Sequence, residues 1–323
     1  MKKNVVSFLL MAVLLLVLAA CGGAAETTTE VEAEANGEAQ QAEAAEITLT
    51  HELGETVITK NPETVVVFDF GALETLDQLG VEAAGVPKAS ALPGYLSKYE
   101  DTKYENVGSL KEPDFEKINS MDPDLIVISG RQAEAYEELS KIAPTLYISL
   151  DYENYMESFT ENVNTLAEIF EKEEQAGEEL ASINASISAL NEAAASSDQT
   201  GLIVLSNGGK VSAYGSGSRF GVIHDVFGVK PADENIEAST HGMSVSFEYI
   251  AEKNPDYLFV IDRDQVVNGE AKASEVFNNE LVNGTNAAKN GKVIYLDPSV
   301  WYLSGGGLIS AVEMAKEIET AIQ

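Results

Sequence analysis

FEKINSMDPDLIVISGR, residues 115–131, and FEYIAEKNPDYLFVIDR, residues 247–263, are two copies of one pattern. Each runs Phe-Glu-x-Ile, four residues, Pro-Asp, an apolar run and then Arg, with a constant offset of 132 residues. Phe-Glu-x-Ile predicts a short helix, which the proline ends because the residue before proline resists the α region. The apolar run predicts a strand covered on both faces, as in a mostly parallel α/β sheet. The Arg then lies just past the strand's carboxyl end, where ligands bind in open parallel sheets. Two lobes built alike would present Arg131 and Arg263 to one shared cleft. Equivalent structural salt bridges in two related folds are the competing explanation.

The rest of the chain extends this α/β reading. Further strands are expected at Ile47–Thr50, Val57–Thr59, Val65–Asp69 and Leu146–Ser149 before residue 150, and at Leu202–Ser206, Val211–Ala213 and Val293–Leu296 after it. Between the halves, Asn154–Ser196 holds no Pro and one Gly, with apolar residues at helical spacing. One helix is expected near 154–171 and a second, long enough to join two lobes, over 172–197. The fold class is therefore two Rossmann-like lobes with mostly parallel sheets, 47–171 and 198–323, joined by a long helix.

The N-terminus reads as targeting. Lys2 and Lys3 precede an apolar run to Ala20, short for a membrane span and right for a signal peptide over 1–20. Leu18-Ala19-Ala20-Cys21 resembles the bacterial lipobox, which implies lipidation of Cys21, the only cysteine. Residues 21–46 are rich in Ala, Glu, Thr and Gln, with seven acids and no basic or aromatic residue, the composition of a flexible tether. A lipid at one end and a globular body at the other predict a protein tied to a cell-membrane surface rather than spanning it. The chain's 20 basic and 53 acidic residues give a formal net charge of −33, which argues against nucleic acid as a partner. So acidic a surface suits solubility, or a saline or alkaline habitat.

Arginine is scarce: Arg131, Arg219 and Arg263 stand against 17 lysines. Guanidinium is planar, always charged and donates in a fork that matches paired oxygens. Its restriction to three places points to anion recognition. Arg219 lies in AYGSGSRFGVIHDVFG, where glycines and serines lead from a strand into a helix, a setting for anion contact near a helix N-terminus.

With these features the chain resembles the siderophore-binding lipoproteins of bacterial iron ABC importers, the helical-backbone (class III) type. The likeness covers about Ile47 to Gln323. It includes the lipobox, both Phe-Glu-x-Ile segments, the GSGSRFG loop, LPGYLSKYEDTKYENVGSLKEPDFEKI and the closing WYLSGGG. Within that family the likeness is to the petrobactin and catecholate binders. The resemblance implies that Arg131, Arg219 and Arg263 hold the ferric complex. It implies that His241, in STHGMS, and Tyr302, in VWYLSGG, complete the iron shell when the siderophore leaves two sites open. It also implies that Glu116 and Glu248, the paired acids of the repeat, dock on the membrane permease. Two catecholates and one α-hydroxycarboxylate around Fe(III) leave a trianion, which three guanidiniums match. Fe(III) prefers oxygen, so a Tyr302 phenolate suits it and a His241 imidazole is softer. His51 and His224 are read as structural.

Other functions fit less well. No G-x-S-x-G, H-E-x-x-H or phosphate-binding glycine motif is present, so an enzyme, such as a cell-surface hydrolase, has no motif behind it. A triscatecholate complex is also a trianion and stays open as cargo, without an open iron site for His241 and Tyr302. Haem and cobalamin binders share the architecture without needing three arginines. The expectation is a monomeric, lipid-anchored extracellular binding protein with no permanent cofactor.

Overall fold

The computed structural model describes residues 45–323. The expected signal segment, Cys21 and nearly all of the expected tether lie outside the described residues. Among the described residues no helix is long and apolar enough to cross a membrane.

The chain enters through an antiparallel hairpin, β1 (Glu46–His51) and β2 (Gly54–Thr59). A five-stranded parallel sheet follows: β3 (Val65–Val67), β4 (Gly85–Val86), β5 (Glu105–Asn106), β6 (Leu125–Ile128) and β7 (Thr145–Tyr147), in the order β5-β4-β3-β6-β7. Its crossovers carry α1 (Phe70–Gln78), α2 (Phe115–Met121) and the single turn α3 (Tyr136–Leu139). Strand β3 is two residues shorter than expected. Asp69 caps α1 instead, its carboxylate accepting from Ala72 N at 2.9 Å.

Two helices lead away from this sheet. These are α4 (Tyr155–Ile169) and the 23-residue α5 (Glu173–Ala195). Leu180, Ile183, Ile187, Leu190 and Ala194 form one buried stripe of α5. The second sheet has the order β11-β9-β8-β12-β13, with β10 beside β8. Its strands are β8 (Thr200–Asn207), β9 (Lys210–Tyr214), β10 (Lys230–Pro231), β11 (Met243–Val245), β12 (Tyr257–Asp262) and β13 (Val293–Leu296). Strands β8, β10, β12 and β13 run parallel, while β9 and β11 add antiparallel pairs at one edge. The helices here are α6 (Val222–Asp225), α7 (Phe247–Lys253), α8 (Arg263–Val267), α9 (Ala273–Val276), α10 (Glu280–Asn283), α11 (Asn286–Lys289) and the closing α12 (Leu308–Ile322). Helix α12 packs on both α5 and α1, so one face of it closes the junction of the two halves.

The sequence repeat is a repeat of architecture. Helices α2 and α7 have seven residues each and end in left-handed residues, Asp122 (φ 48°) and Asn254 (φ 43°). Asp and Asn tolerate that conformation better than other non-glycine residues. The Asp after each proline ties down the neighbouring strand entrance. Asp124 Oδ2 accepts from Glu63 N (3.0 Å) and Thr64 N (2.7 Å), and Asp256 Oδ2 accepts from Thr200 N (3.0 Å). Strands β6 and β12 then occupy interior positions of their sheets, fully buried.

Candidate functional site

Arg131 leaves β6 on a tight 3₁₀ turn, Gly130–Ala135, and its backbone is fixed from both sides. Buried Gln132 accepts from Ser129 N at 3.1 Å and donates its amide to Leu110 O. From this turn Arg131 reaches across to the second half, donating to Tyr302 O (2.7 Å) and Leu303 O (3.3 Å).

Those carbonyls are free because Ser299–Leu303 is a single π turn. Its start is held by Asp297, which accepts from Ser299 N at 2.8 Å, and its wide pitch leaves the last carbonyls without helical partners. Arg219 donates to the same Tyr302 O at 2.7 Å, and its guanidinium lies 4.4 Å from the Tyr302 ring centre. Arg263, the first residue of α8, donates from Nε to the Tyr302 hydroxyl (2.9 Å) and from Nη1 to Asn207 Oδ1 (3.0 Å). All three arginines therefore converge on one tyrosine.

A cavity of about 470 Å³ opens beside this cluster. Arg131, Arg219, Tyr302 and His241 line it, and Arg263 does not. The two repeat arginines sit differently at the cavity. Arg131 stands three residues beyond its strand and lines the cavity, whereas Arg263 follows β12 directly and donates to the Tyr302 hydroxyl. The expectation for Arg219 also changes. The helix after GSGSRFG is one turn, and Asp225 accepts from Gly217 N at 2.7 Å, so the loop contributes a side chain rather than helix amides.

Burial and the neighbouring Arg219 pull Arg131 below the usual guanidinium value, against a partial offset from Asp69. It remains a cation at any working pH. Burial alone would raise the Tyr302 phenol. The hydrogen bond from Arg263 and the positive charges of Arg219, Arg263 and Arg131 outweigh it, and the phenol falls below its usual value. The site is thus built to stabilise negative oxygen.

His241 is exposed at the rim, with its backbone N donating to Ser239 Oγ (3.1 Å) and its carbonyl accepting from Tyr214 Oη (3.0 Å). Among the described residues no group of three or more His, Cys, Asp or Glu could hold a metal ion alone. His51 and His224 lie away from the cavity. His51 Nε2 meets Thr56 Oγ1 at 2.9 Å, and His224 Nδ1 donates to Val229 O at 2.7 Å. Glu116 and Glu248 are both exposed, each in the first turn of its helix, on α2 and α7.

Sequence reasoning missed much of the wall. Tyr147, Tyr152 and Tyr155 line it beside buried Trp301, and Tyr155 Oη donates to Gly305 O at 2.9 Å. The signal was DYENY at 151–155, two tyrosines in five residues of a chain that is 7% aromatic. Lys111, at a loop tip held through Leu110, adds a further cation.

The family model described as Periplasmic binding protein matches residues 65–300. The chain is 49% identical over 327 aligned residues, the full length of both, to the petrobactin-binding protein YclQ of Bacillus subtilis. It is 38% identical to the ferric-anguibactin-binding protein FatB of Vibrio anguillarum, over 82% of this chain and 84% of that one. The crystal structure of YclQ superposes with a TM-score of 0.85 at 53% identity, covering 86% of this chain and 99% of that one. The catecholate-siderophore-binding protein VctP of Vibrio cholerae gives a TM-score of 0.80 at 36% identity, covering 85% and 100%.

Proposed function

This chain belongs to the periplasmic binding protein family and is a solute-binding protein; we propose that its solute is a petrobactin-like ferric catecholate siderophore. The observation that carries the reading is the meeting of Arg131 and Arg219 on one oxygen at the wall of an aromatic cavity. A chain with so acidic a balance would repel a trianion anywhere else on its surface. Guanidiniums supply paired donors to catecholate oxygens, and the tyrosines and Trp301 supply faces for the catechol rings. Arg219 places one of its five donors on Tyr302 O, which leaves others for an anion. Arg263 acts through Tyr302, holding its phenol ready as an oxygen ligand for Fe(III). His241 at the rim is the second conditional ligand.

The same proposal places the protein on the outer face of the cell membrane, anchored through Cys21, and handing cargo to an ABC permease. Glu116 and Glu248, one on each half, are its docking acids. Binding without turnover is the expected chemistry, since the named relatives are binding proteins.

Titration with ferric petrobactin and with ferric enterobactin, read by quenching of Trp301, tests the cargo. Tight binding of the first supports a complex with open iron sites. Preference for the second moves the reading to a triscatecholate. Tight binding of neither overturns it.

A further inference from the structure

The closing WYLSGGG motif contains more than Tyr302. Gly305 takes φ +76°, which explains one glycine. The other two are explained by contact: a Cβ on Gly306 would lie 2.5 Å from Leu150 Cδ1. A Cβ on Gly307 would lie 2.3 Å from Gly71 O, and one on Gly71 would lie 2.9 Å from Gly306 C. The first turn of α1 and the entrance of α12 therefore meet backbone to backbone, with no room for water between them.

One acid is buried in this junction. Glu74, on α1, is fully inaccessible. Its Oε1 accepts from Ser310 N at 2.6 Å, and its Oε2 meets Ser304 Oγ at 2.9 Å. The cap residue of α12 is Gly307, which has no side chain to offer, so the first turn of α12 is capped by a carboxyl from the other half of the molecule. Thr75 Oγ1 adds a second such contact, accepting from Leu308 N at 3.3 Å.

We propose that Glu74 is a proton-dependent latch that positions the Ser304–Gly306 wall of the cleft. Ser304, Gly305 and Gly306 line the cavity and directly follow the carbonyls that Arg131 and Arg219 hold. The carboxyl accepts from Ser310 N with one oxygen and from Ser304 Oγ with the other, and in its protonated form it buries no charge. The ionised form buries a charge that, among the described residues, no basic side chain bonds.

The groups that face Glu74 are Tyr95 from the 3₁₀ turn Gly94–Glu100, Tyr155 from α4, Ser304 after the π turn and Ser310 on α12. The Tyr95 hydroxyl is buried beside Glu74 and Ser304 and meets neither at full hydrogen-bonding geometry. Asp69 begins the same helix, and Asp297 acts on Tyr95. Among the described residues no basic side chain bonds Glu74. Burial therefore dominates and pushes the carboxyl up from 4.5 to about 7, although the hydrogen bonds from Ser310 and Ser304 and the nearby Tyr95 hydroxyl pull it down.

The folded state binds this proton more tightly than the unfolded state does. The contribution of Glu74 to stability is fully present below 4.5 and is lost as pH rises through about 7. Above that pH the latch is strained and the wall loosens.

The test uses ligand-free full-length protein between pH 5 and 9, with thermal unfolding and acrylamide quenching of Trp301, the only tryptophan. Glu74→Gln keeps one acceptor and one donor without the charge. The wild type should lose up to about 10 °C of Tm relative to Glu74→Gln as pH rises, and its Trp301 should become more quenchable. Glu74→Gln should stay flat in both readouts. A wild type that is flat across the range, or a Glu74→Gln protein that follows it, overturns the proposal, and the wild-type profile decides even if a variant fails to fold. The consequence for cargo rests on the reading of the cleft given above. Affinity for ferric petrobactin should fall above pH 7 in the wild type relative to Glu74→Gln. If neither protein binds any ferric catecholate while the ligand-free profiles behave as expected, the cargo reading fails and the latch stands.

Discussion

Arg131→Gln distinguishes a guanidinium kept for cargo from one kept for the fold. Arg131 and Arg219 donate to the same oxygen, Tyr302 O, each at 2.7 Å. The two donor nitrogens are therefore no more than about 5.4 Å apart, and at an effective dielectric near 20 unit charges at that distance repel by about 3 kcal/mol. Removing Arg131 relieves that repulsion. It also forfeits the bonds to Tyr302 O and Leu303 O, about 1 kcal/mol each in net terms. The two effects nearly cancel, so the ligand-free Tm should move by no more than about 3 °C. Binding should respond very differently. Loss of a charged partner to a desolvated anion costs about 2–5 kcal/mol, which weakens Kd roughly thirty-fold to several thousand-fold. Thermal unfolding without ligand and Trp301 quenching with ferric petrobactin measure the two sides. A Tm fall above about 5 °C with unchanged affinity would show that Arg131 is an internal strut, and the anion-cleft argument would fail.

Tyr302 should titrate early. Burial alone would raise its phenol, but the Arg263 hydrogen bond and the three positive charges set its value below 10.0, so its phenolate stabilises the fold as pH rises through that lowered value. Phenolate absorbance should reveal a tyrosine ionising below the ordinary range, and Arg263→Gln should return it upward; an identical curve in that variant would refute the assignment. Glu116→Arg combined with Glu248→Arg should abolish uptake by cells while leaving cargo affinity within about twofold, since both acids are exposed and distant from the cavity wall. Loss of binding in the purified double variant would show that these acids serve the cleft instead.

The repeat made the architecture legible because local chemistry repeats with it. Pro123 and Pro255 end their helices through steric rules that act on adjacent residues. Asp122 and Asn254 accept the left-handed turn, and the buried runs Leu125–Ile128 and Tyr257–Asp262 read as interior strands. The two-residue strands β4, β5 and β10 gave no periodic signal, being too short to show one. Arg131 and Arg263 stood out by rarity, but their unequal access to the cavity depends on a two-residue difference in where each strand stops. That difference follows from the turn Ser129–Gln132, whose local bond from Ser129 N to Gln132 is completed only in the fold by the contact of Gln132 with Leu110.

Glu74 marks the limit of such reading. Arginine is informative here because there are three, whereas Glu74 is one of 53 acids and sits on a helix with seven of its nine residues buried. Its burial is created by residues more than 200 positions away, Ser304 and Ser310, and no spacing rule spans that gap. The one local trace is Gly305-Gly306-Gly307 before a helix. A glycine cap is poor at satisfying first-turn amides, so it demands a partner from elsewhere. A helix that begins with glycines beside a binding wall thus predicts a donated cap, and a donated acidic cap in a dry junction predicts a titrating one. The close approach of Gly71 to Gly307 then singles out Glu74 as that acid.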